Sequence, residues 1–241
     1  MLKWYIFVPY LTDLATFLDD FLGVECFAGD QNGIYRQSDR AVRKIALALE
    51  PFPGLERWVE ARSLDALWLH RPWKLSVTPA LTGVGVLAYH LAFDERLTIG
   101  YNPLLADALR MTNVVSFGEK EGRPLGMVGE VKPVPWERFR ERVAQVFGGE
   151  EAVLAQTNPV VKRVAAVGAM TDALVNQAAD QEANVYLTGA LRKSVRPTAL
   201  SRQLPVFAVG HRRSEEWGLR TLATVLRQQW PDLEITVLAS G

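Results

Sequence analysis

Hydrophobic and polar positions switch repeatedly between the period of a helix and that of a strand. After Thr12-Asp13, the residues Leu14, Phe17, Leu18, Phe21 and Leu22 recur at three- and four-residue intervals, which predicts a helix. A Thr12 or Asp13 side-chain oxygen can satisfy its free N–H groups, and Gly23 can end it. Gly29 to Gly33 reads as a turn, and Ala41 to Leu49 fits the strand and helix templates equally. Leu55 to Ala61 predicts a helix, and Ala66 to Leu69 and Gly85 to Tyr89 predict strands. Asn102 or Pro103 opens a helix through Leu109, proline suiting a first turn where its missing N–H is not needed. Glycines and prolines cluster from Gly118 to Pro135 and mark a boundary between halves. Trp136 to Phe147 is amphipathic and stops at Gly148-Gly149. Strands are expected at Val161–Val167, Ala183–Leu187, Pro205–Val209 and Leu233–Leu238, with helices at Asp172–Ala179 and Glu215–Gln229.

Strands separated by helices of this length predict an α/β fold with parallel or mixed sheets, in which ligands collect beyond the strands' carboxyl ends. The division expected is an N-terminal α/β half, 1–124, and a C-terminal α/β half, 125–241. At 241 residues and 49% hydrophobic content the chain can bury a full core. Its 27 basic and 27 acidic residues cancel, so no global field draws in nucleic acid or an anionic membrane. The apolar run Ala80 to Phe93 is interrupted and falls short of the ~20 residues a spanning helix needs. The start from Trp4 to Leu11 has no small-residue cleavage site and reads as structure. A single cysteine, Cys26, fits a reducing compartment, and cytoplasm is the expectation.

The candidate chemistry lies in three histidines. His70 closes the run Ala66-Leu67-Trp68-Leu69, His90 precedes Asp94 by four residues, and His211 follows Val206 to Gly210 and precedes Glu215 by four. Imidazole and carboxylate at strand ends suit a first-row divalent cation, because both donors bind it at about 2 Å. Each has a structural alternative as well: a lone histidine is often a hydrogen-bonded core residue. With Ser214 as N-cap, Glu215 would sit in a first helical turn that favours a carboxylate without any metal. Arg192, Lys193, Arg196 and Arg202 form a basic stretch that reads as a solvated face or a phosphate contact.

Read in order, Asp30-Gln31-Asn32-Gly33, Leu69-His70-Arg71-Pro72, His90 to Asp94 followed by Gly100-Tyr101-Asn102, Thr188-Gly189, and Gly210-His211-Arg212-Arg213-Ser214-Glu215 resemble the signature of one family. It is that of the GTP cyclohydrolase I type 2 homologues, also called Nif-three-like (Ngg-interacting factor three-like) proteins. The resemblance implies two interlocking α/β halves with mixed sheets, without the inserted middle domain of larger members. It further implies a ring-shaped homohexamer and divalent metal (zinc, iron or manganese) in a cleft between the halves. Carried over by position, the metal ligands are His70, Asp94, His211 and Glu215, with His90 beside the site. The activity implied is metal-dependent, GTP cyclohydrolase-like hydrolysis of a small nucleotide-like or heterocyclic substrate. His90 and Glu215 are then the candidate catalytic groups.

Three departures change this picture. The family's His-His-Pro is His70-Arg71-Pro72 here, and a protonated guanidinium has no lone pair to donate. Thr-Gly-Asp followed by a histidine is Thr188-Gly189-Ala190 and then Lys193-Ser194. A Gly-Ser-rich segment is Gly168-Ala169-Met170-Thr171. One or two ions per subunit are conceivable and one is favoured, with Arg71 taking the second ion's place or holding an anionic substrate group. The alternative is a catalytically degenerate oligomeric scaffold with one structural metal or none. Trp4, Trp73 and Trp136 are candidates for subunit contacts.

Overall fold

The computed structural model describes residues 8–76, 78–154 and 160–238, so Trp4 and the first half of the N-terminal run read as structure lie outside the described residues. Eight helices and eleven strands are described. In chain order the elements are α1 (Leu11–Leu22), β1 (Asn32–Arg36), β2 (Lys44–Ala48), α2 (Leu55–Arg62), β3 (Ala66–Leu69), β4 (Gly85–Tyr89), α3 (Leu91–Leu97) and α4 (Pro103–Leu109). They continue with β5 (Thr112–Lys120), β6 (Arg123–Pro135), α5 (Trp136–Phe147), β7 (Ala152–Leu154), β8 (Val160–Val167), α6 (Asp172–Asp180), β9 (Val185–Thr188), α7 (Arg196–Ser201), β10 (Val206–Ala208), α8 (His211–Gln229) and β11 (Glu234–Leu238). Mixed sheets and intervening helices make the fold α/β, as the periodicity predicts.

The chain forms two compact units. One runs to Phe93 and resumes at Leu219; the other is Asp94–Gly218. The expected boundary at 124/125 falls inside β6, which is hydrogen-bonded to β5 on one side and β8 on the other. Gly118 to Pro135, read as the boundary between halves, is mostly this hairpin. Its glycines serve the pairing: Gly118 and Gly122 have φ of +63° and +76°, and Gly126 lies across from Val167.

In the first unit the strand order is β1-β4-β3-β2-β11, with β1 antiparallel to β4 and the others parallel. Alternation along β3 sends Leu67 and Leu69 to a core shared with Leu55 and Val59 of α2. Trp68 faces the other way, 4.8 Å from Phe93 and stacked on Tyr89. Burial raises the pKa of Tyr89, helped by the hydroxyl's donation to Asp19. The helix α1 buries Leu11, Leu14, Leu18 and Leu22, and Gly23 ends it at φ +63° as predicted. Its cap differs from the expectation: Tyr10 is the N-cap, and Asp13, at the third helical position, accepts a hydrogen bond from the Tyr10 N–H at 2.7 Å.

The second unit carries the order β5-β6-β8-β9-β10-β7, parallel only across β8, β9 and β10. Alternation again gives two cores. Leu187, Phe207 and Val209 pack with Leu105, Phe139 and Val143 from α4 and α5, while Tyr186 and Val206 join Leu174, Val175 and Ala199 from α6 and α7. No described helix is long and apolar enough to cross a membrane.

A Cβ at Gly126 would lie 2.4 Å from the Ala166 carbonyl oxygen and 2.6 Å from Val167 Cβ. Gly126→Ala should therefore force β6 away from β8 and destabilise the protein by about 1–3 kcal/mol. The check is a lower denaturant midpoint at an unchanged m-value; a variant as stable as the parent would show that β6 does not approach β8 this closely.

Candidate metal centre

Glu215 is only 1% exposed, and a buried carboxylate must be paired or hydrogen-bonded to remain charged. Its Oε1 lies 3.0 Å from Nε2 of His211, one helical turn earlier and largely exposed. The approach to α8 fixes this pair. Phe207 and Val209 anchor β10 in the core, then Gly210 turns the chain at φ +97°, a left-handed conformation that suits glycine. The N–H groups of Val209 and Gly210 donate to the carbonyls of Thr188 and Gly189, so the Thr-Gly and Gly-His motifs are neighbouring ends of β9 and β10. The helix starts at His211 rather than near Glu215. Ser214 therefore lies inside it and donates its hydroxyl to the His211 carbonyl at 2.9 Å, which corrects the reading of Ser214 as N-cap.

The third donor comes from α3. Asp94 brings a carboxylate oxygen into a group with His211 and Glu215 in which the three donor atoms lie within 4.8 Å of one another. The end of α3 is tightly tied. Thr98 donates to the Asp94 carbonyl at 2.6 Å, Asn102 Nδ2 donates to Thr98, and Asn102 Oδ1 accepts from the N–H groups of Leu104 and Leu105 to cap α4. A Cβ at Gly100 would sit 2.1 Å from the Glu95 carbonyl oxygen. Gly100-Tyr101-Asn102 is thus a close-approach glycine and an N-cap that set the helix carrying Asp94.

Beside Asp94, Glu95 accepts two hydrogen bonds from Arg123, at 3.1 and 3.3 Å, and Arg123 also donates to Glu121 at 3.0 Å. The Arg123 side chain is 8% exposed, and hydrogen bonding to Glu95 raises its pKa. Asp94 and His211 open onto a cleft of about 600 Å3 whose apolar wall includes Ile99, Leu125 and Leu174. Of the altered family segment, Gly168, Ala169 and Thr171 line it.

The other two histidines belong to the first unit. His70 is fully buried beyond β3, on the same side as Trp68, with Nδ1 2.9 Å from the Tyr89 carbonyl oxygen. Its ring lies 5.0 Å from Phe93 and 5.1 Å from His90. His90 is held at Nδ1 by Asp30 at 3.0 Å; the other Asp30 oxygen accepts from the Leu91 N–H at 2.6 Å, at the start of α3. Arg71 pairs with Glu50 at 3.6 Å. Trp73 is 57% exposed with its edge against His90, and Trp136 instead stacks on Phe207 at 4.5 Å. The basic residues Arg192, Lys193, Arg196 and Arg202 are all exposed, as a solvated face requires.

The arrangement brings Asp94, His211 and Glu215 together in the second unit and His70 and His90 together in the first. Sequence reasoning gave no role to Asp30, Glu95 or Arg123. Asp30 was visible as part of a motif; Arg123 was not, because it starts a strand inside the stretch taken for a boundary between halves.

Comparison with known proteins matches the chain to a family. The profile of the Duf34/NIF3 (NGG1p interacting factor 3) family matches residues 78–241. The chain belongs to this family. Among its relatives, a GTP cyclohydrolase 1 type 2 homolog from Archaeoglobus fulgidus is 24% identical, covering 91% of this chain and 94% of the relative. One of the same name from Haemophilus influenzae is 22% identical, covering 83% and 85%. Among solved structures, the protein ybgI, of unknown function, superposes with a TM-score of 0.76 at 24% identity over 97% of this chain and 99% of that one. Reduced HcgD from Methanocaldococcus jannaschii gives 0.73 at 21% identity over 96% and 98%. These likenesses show a shared NIF3 fold, as the sequence resemblance implied.

Removing Arg123 would leave the largely buried Glu95 carboxylate without its bidentate partner. Arg123→Met should cost about 2 kcal/mol of stability, within the range for a buried acceptor left unmatched, and Arg123→Lys less. Chemical denaturation of both variants beside the parent tests this; equal stability of all three would show the pair to be solvated.

Proposed function

We propose that this NIF3-family protein holds a divalent cation on Asp94, His211 and Glu215 and uses it in hydrolysis of a small nucleotide-like or heterocyclic substrate. The observation that carries the reading is the donor set: two carboxylates and one imidazole within 4.8 Å of one another, one carboxylate being buried. Atoms bound to one ion at about 2.0–2.2 Å are at most about 4.4 Å apart, so small side-chain rotations suffice. The set suits zinc, iron or manganese, and two carboxylates balance one dication. Three protein ligands with a position left open are the pattern of catalytic rather than structural sites. His70 is carried into the ligand set by the family resemblance.

A divalent cation at such a site supplies Lewis acidity and lowers the pKa of a coordinated water toward neutrality. The protein's own groups do the rest. Glu215, held by His211, orients the attacking water or accepts its proton. The family resemblance offers His90 as the second acid–base group, its ring held at Nδ1 by Asp30 at 3.0 Å. The names of the curated relatives, GTP cyclohydrolase 1 type 2 homologs, agree with hydrolytic chemistry on a purine-like ring. The rival reading, a degenerate scaffold with one structural ion or none, draws on Arg71, which stands where the family has a second imidazole and pairs with Glu50.

Protein purified without added metal should contain one divalent ion per chain. His211→Ala should lower metal affinity at least tenfold while leaving the fold intact, because the imidazole is 65% exposed and contributes little core packing; the loss of a partner for the buried Glu215 should still lower stability measurably. Arg71→His, which removes a fixed positive charge and adds a donor, should raise occupancy toward two. Elemental analysis of the three proteins decides: unchanged content in both variants would overturn the metal reading, and two ions in the parent would overturn the role given to Arg71.

The assembly expected from the resemblance is a homohexamer in which this chain is its own partner. Light scattering at micromolar concentration should then give six times the 26.9 kDa chain mass; a stable monomer would remove it.

A further inference from the structure

We propose that the cleft of the second unit takes an uncharged heterocycle of nucleobase or nucleoside size and discriminates against nucleoside triphosphates. This inference rests on the metal reading of Asp94, His211 and Glu215, and it narrows the substrate class that reading leaves open. The charges at the cleft decide the matter. Among the described residues lining it, the only lysine or arginine is Lys120, set against Asp94, Glu95 and Glu119. Arg123 offers no surplus positive charge either, since it is bidentate on Glu95 and bonded to Glu121 as well. A dication on Asp94 and Glu215 is balanced by those two carboxylates, and Lys120 shares the lining with Glu119, so these two charges cancel in sum. Among the described lining residues no surplus positive charge remains for the phosphates of a triphosphate, whose recognition requires arginine, lysine or a cradle of free N–H groups.

The helix start at the cleft is already occupied. Thr171 accepts from the Leu174 N–H at the N-terminus of α6, and Asp172 places a carboxylate in the same first turn. A second phosphate on that turn would meet like charge. What the cleft does offer suits an uncharged ring. Ile99, Leu125 and Leu174 form apolar walls, Thr98 and Gln177 add polar groups among them, and about 600 Å3 lies within the range of small-molecule sites. A ring nitrogen or carbonyl oxygen directed at the Asp94 and His211 end would complete the contacts.

The test uses the full chain loaded with one manganese or zinc per subunit, with guanosine and GTP as probes titrated calorimetrically at fixed free metal. Guanosine should bind at least tenfold more tightly than GTP. Ala173→Trp, at an exposed position of α6 on the cleft, should weaken guanosine at least tenfold without changing metal content. Glu119→Lys should strengthen GTP at least fivefold and leave guanosine within twofold. GTP binding as tightly as guanosine, or no binding of either at millimolar concentration, would overturn the proposal. Metal content is measured separately, so a protein that binds guanosine in the cleft but holds no metal would sink the metal reading and leave the preference for an uncharged ring standing.

Discussion

A carboxylate that is 1% exposed is the constraint on which the candidate site depends. Glu215 cannot remain ionised there without positive or hydrogen-bonding partners, and the chain supplies one at 3.0 Å from its own helix. That pairing requires α8 to begin at His211, because only a full turn places residues four apart on one face. Starting the helix at that point requires the left-handed Gly210, and Gly210 is held by its N–H on Gly189. The Thr-Gly and Gly-His-x-x-Ser-Glu motifs, distant in sequence, are thus two sides of one local solution to a buried charge.

Much of the fold was legible because its elements carry strong periodicity and clear ends. Asn102 caps α4 through two N–H groups, Thr171 caps α6, and glycines at positions 23 and 148 close α1 and α5. Prediction failed where pairing overrides composition. Gly118 to Pro135 reads as a boundary between halves, yet Gly126 is there because only hydrogen fits against Ala166, and the strand around it joins two neighbours. Two-way pairing is a long-range property that local composition does not encode. Boundaries set by polar residues failed in the same manner: Ser214 has the character of an N-cap, but its hydroxyl bonds backward within the helix.

At the site, the donors were legible and their support was not. Asp94, His211 and Glu215 stand out because carboxylates and imidazoles are chemically specific and spaced by whole turns. Asp30, Glu95 and Arg123 are surface-type residues in sequence, and their burial follows from folding. Arg71 illustrates the same limit, since its sequence position suggested the second ion's place or an anionic substrate group and not the pairing with Glu50. Glu50 lies just beyond β2, and its closeness to Arg71 follows from the parallel pairing of β2 and β3, which no local pattern reports.

Charge bookkeeping then links the site to its chemistry. A neutral chain can still concentrate charge locally, but here the cleft carries no surplus cation among the described residues: Lys120 lines it together with Glu119, and Arg123 is bonded to Glu95 and Glu121. Mutual neutralisation keeps the ion pair at Glu95 affordable in a largely buried setting, where an unmatched charge would be costly. The same neutralisation leaves no field to hold a polyanion. Stability and specificity therefore pull in one direction: the contacts that let α3 present Asp94 are those that reserve the neighbouring space for a ligand without charge of its own.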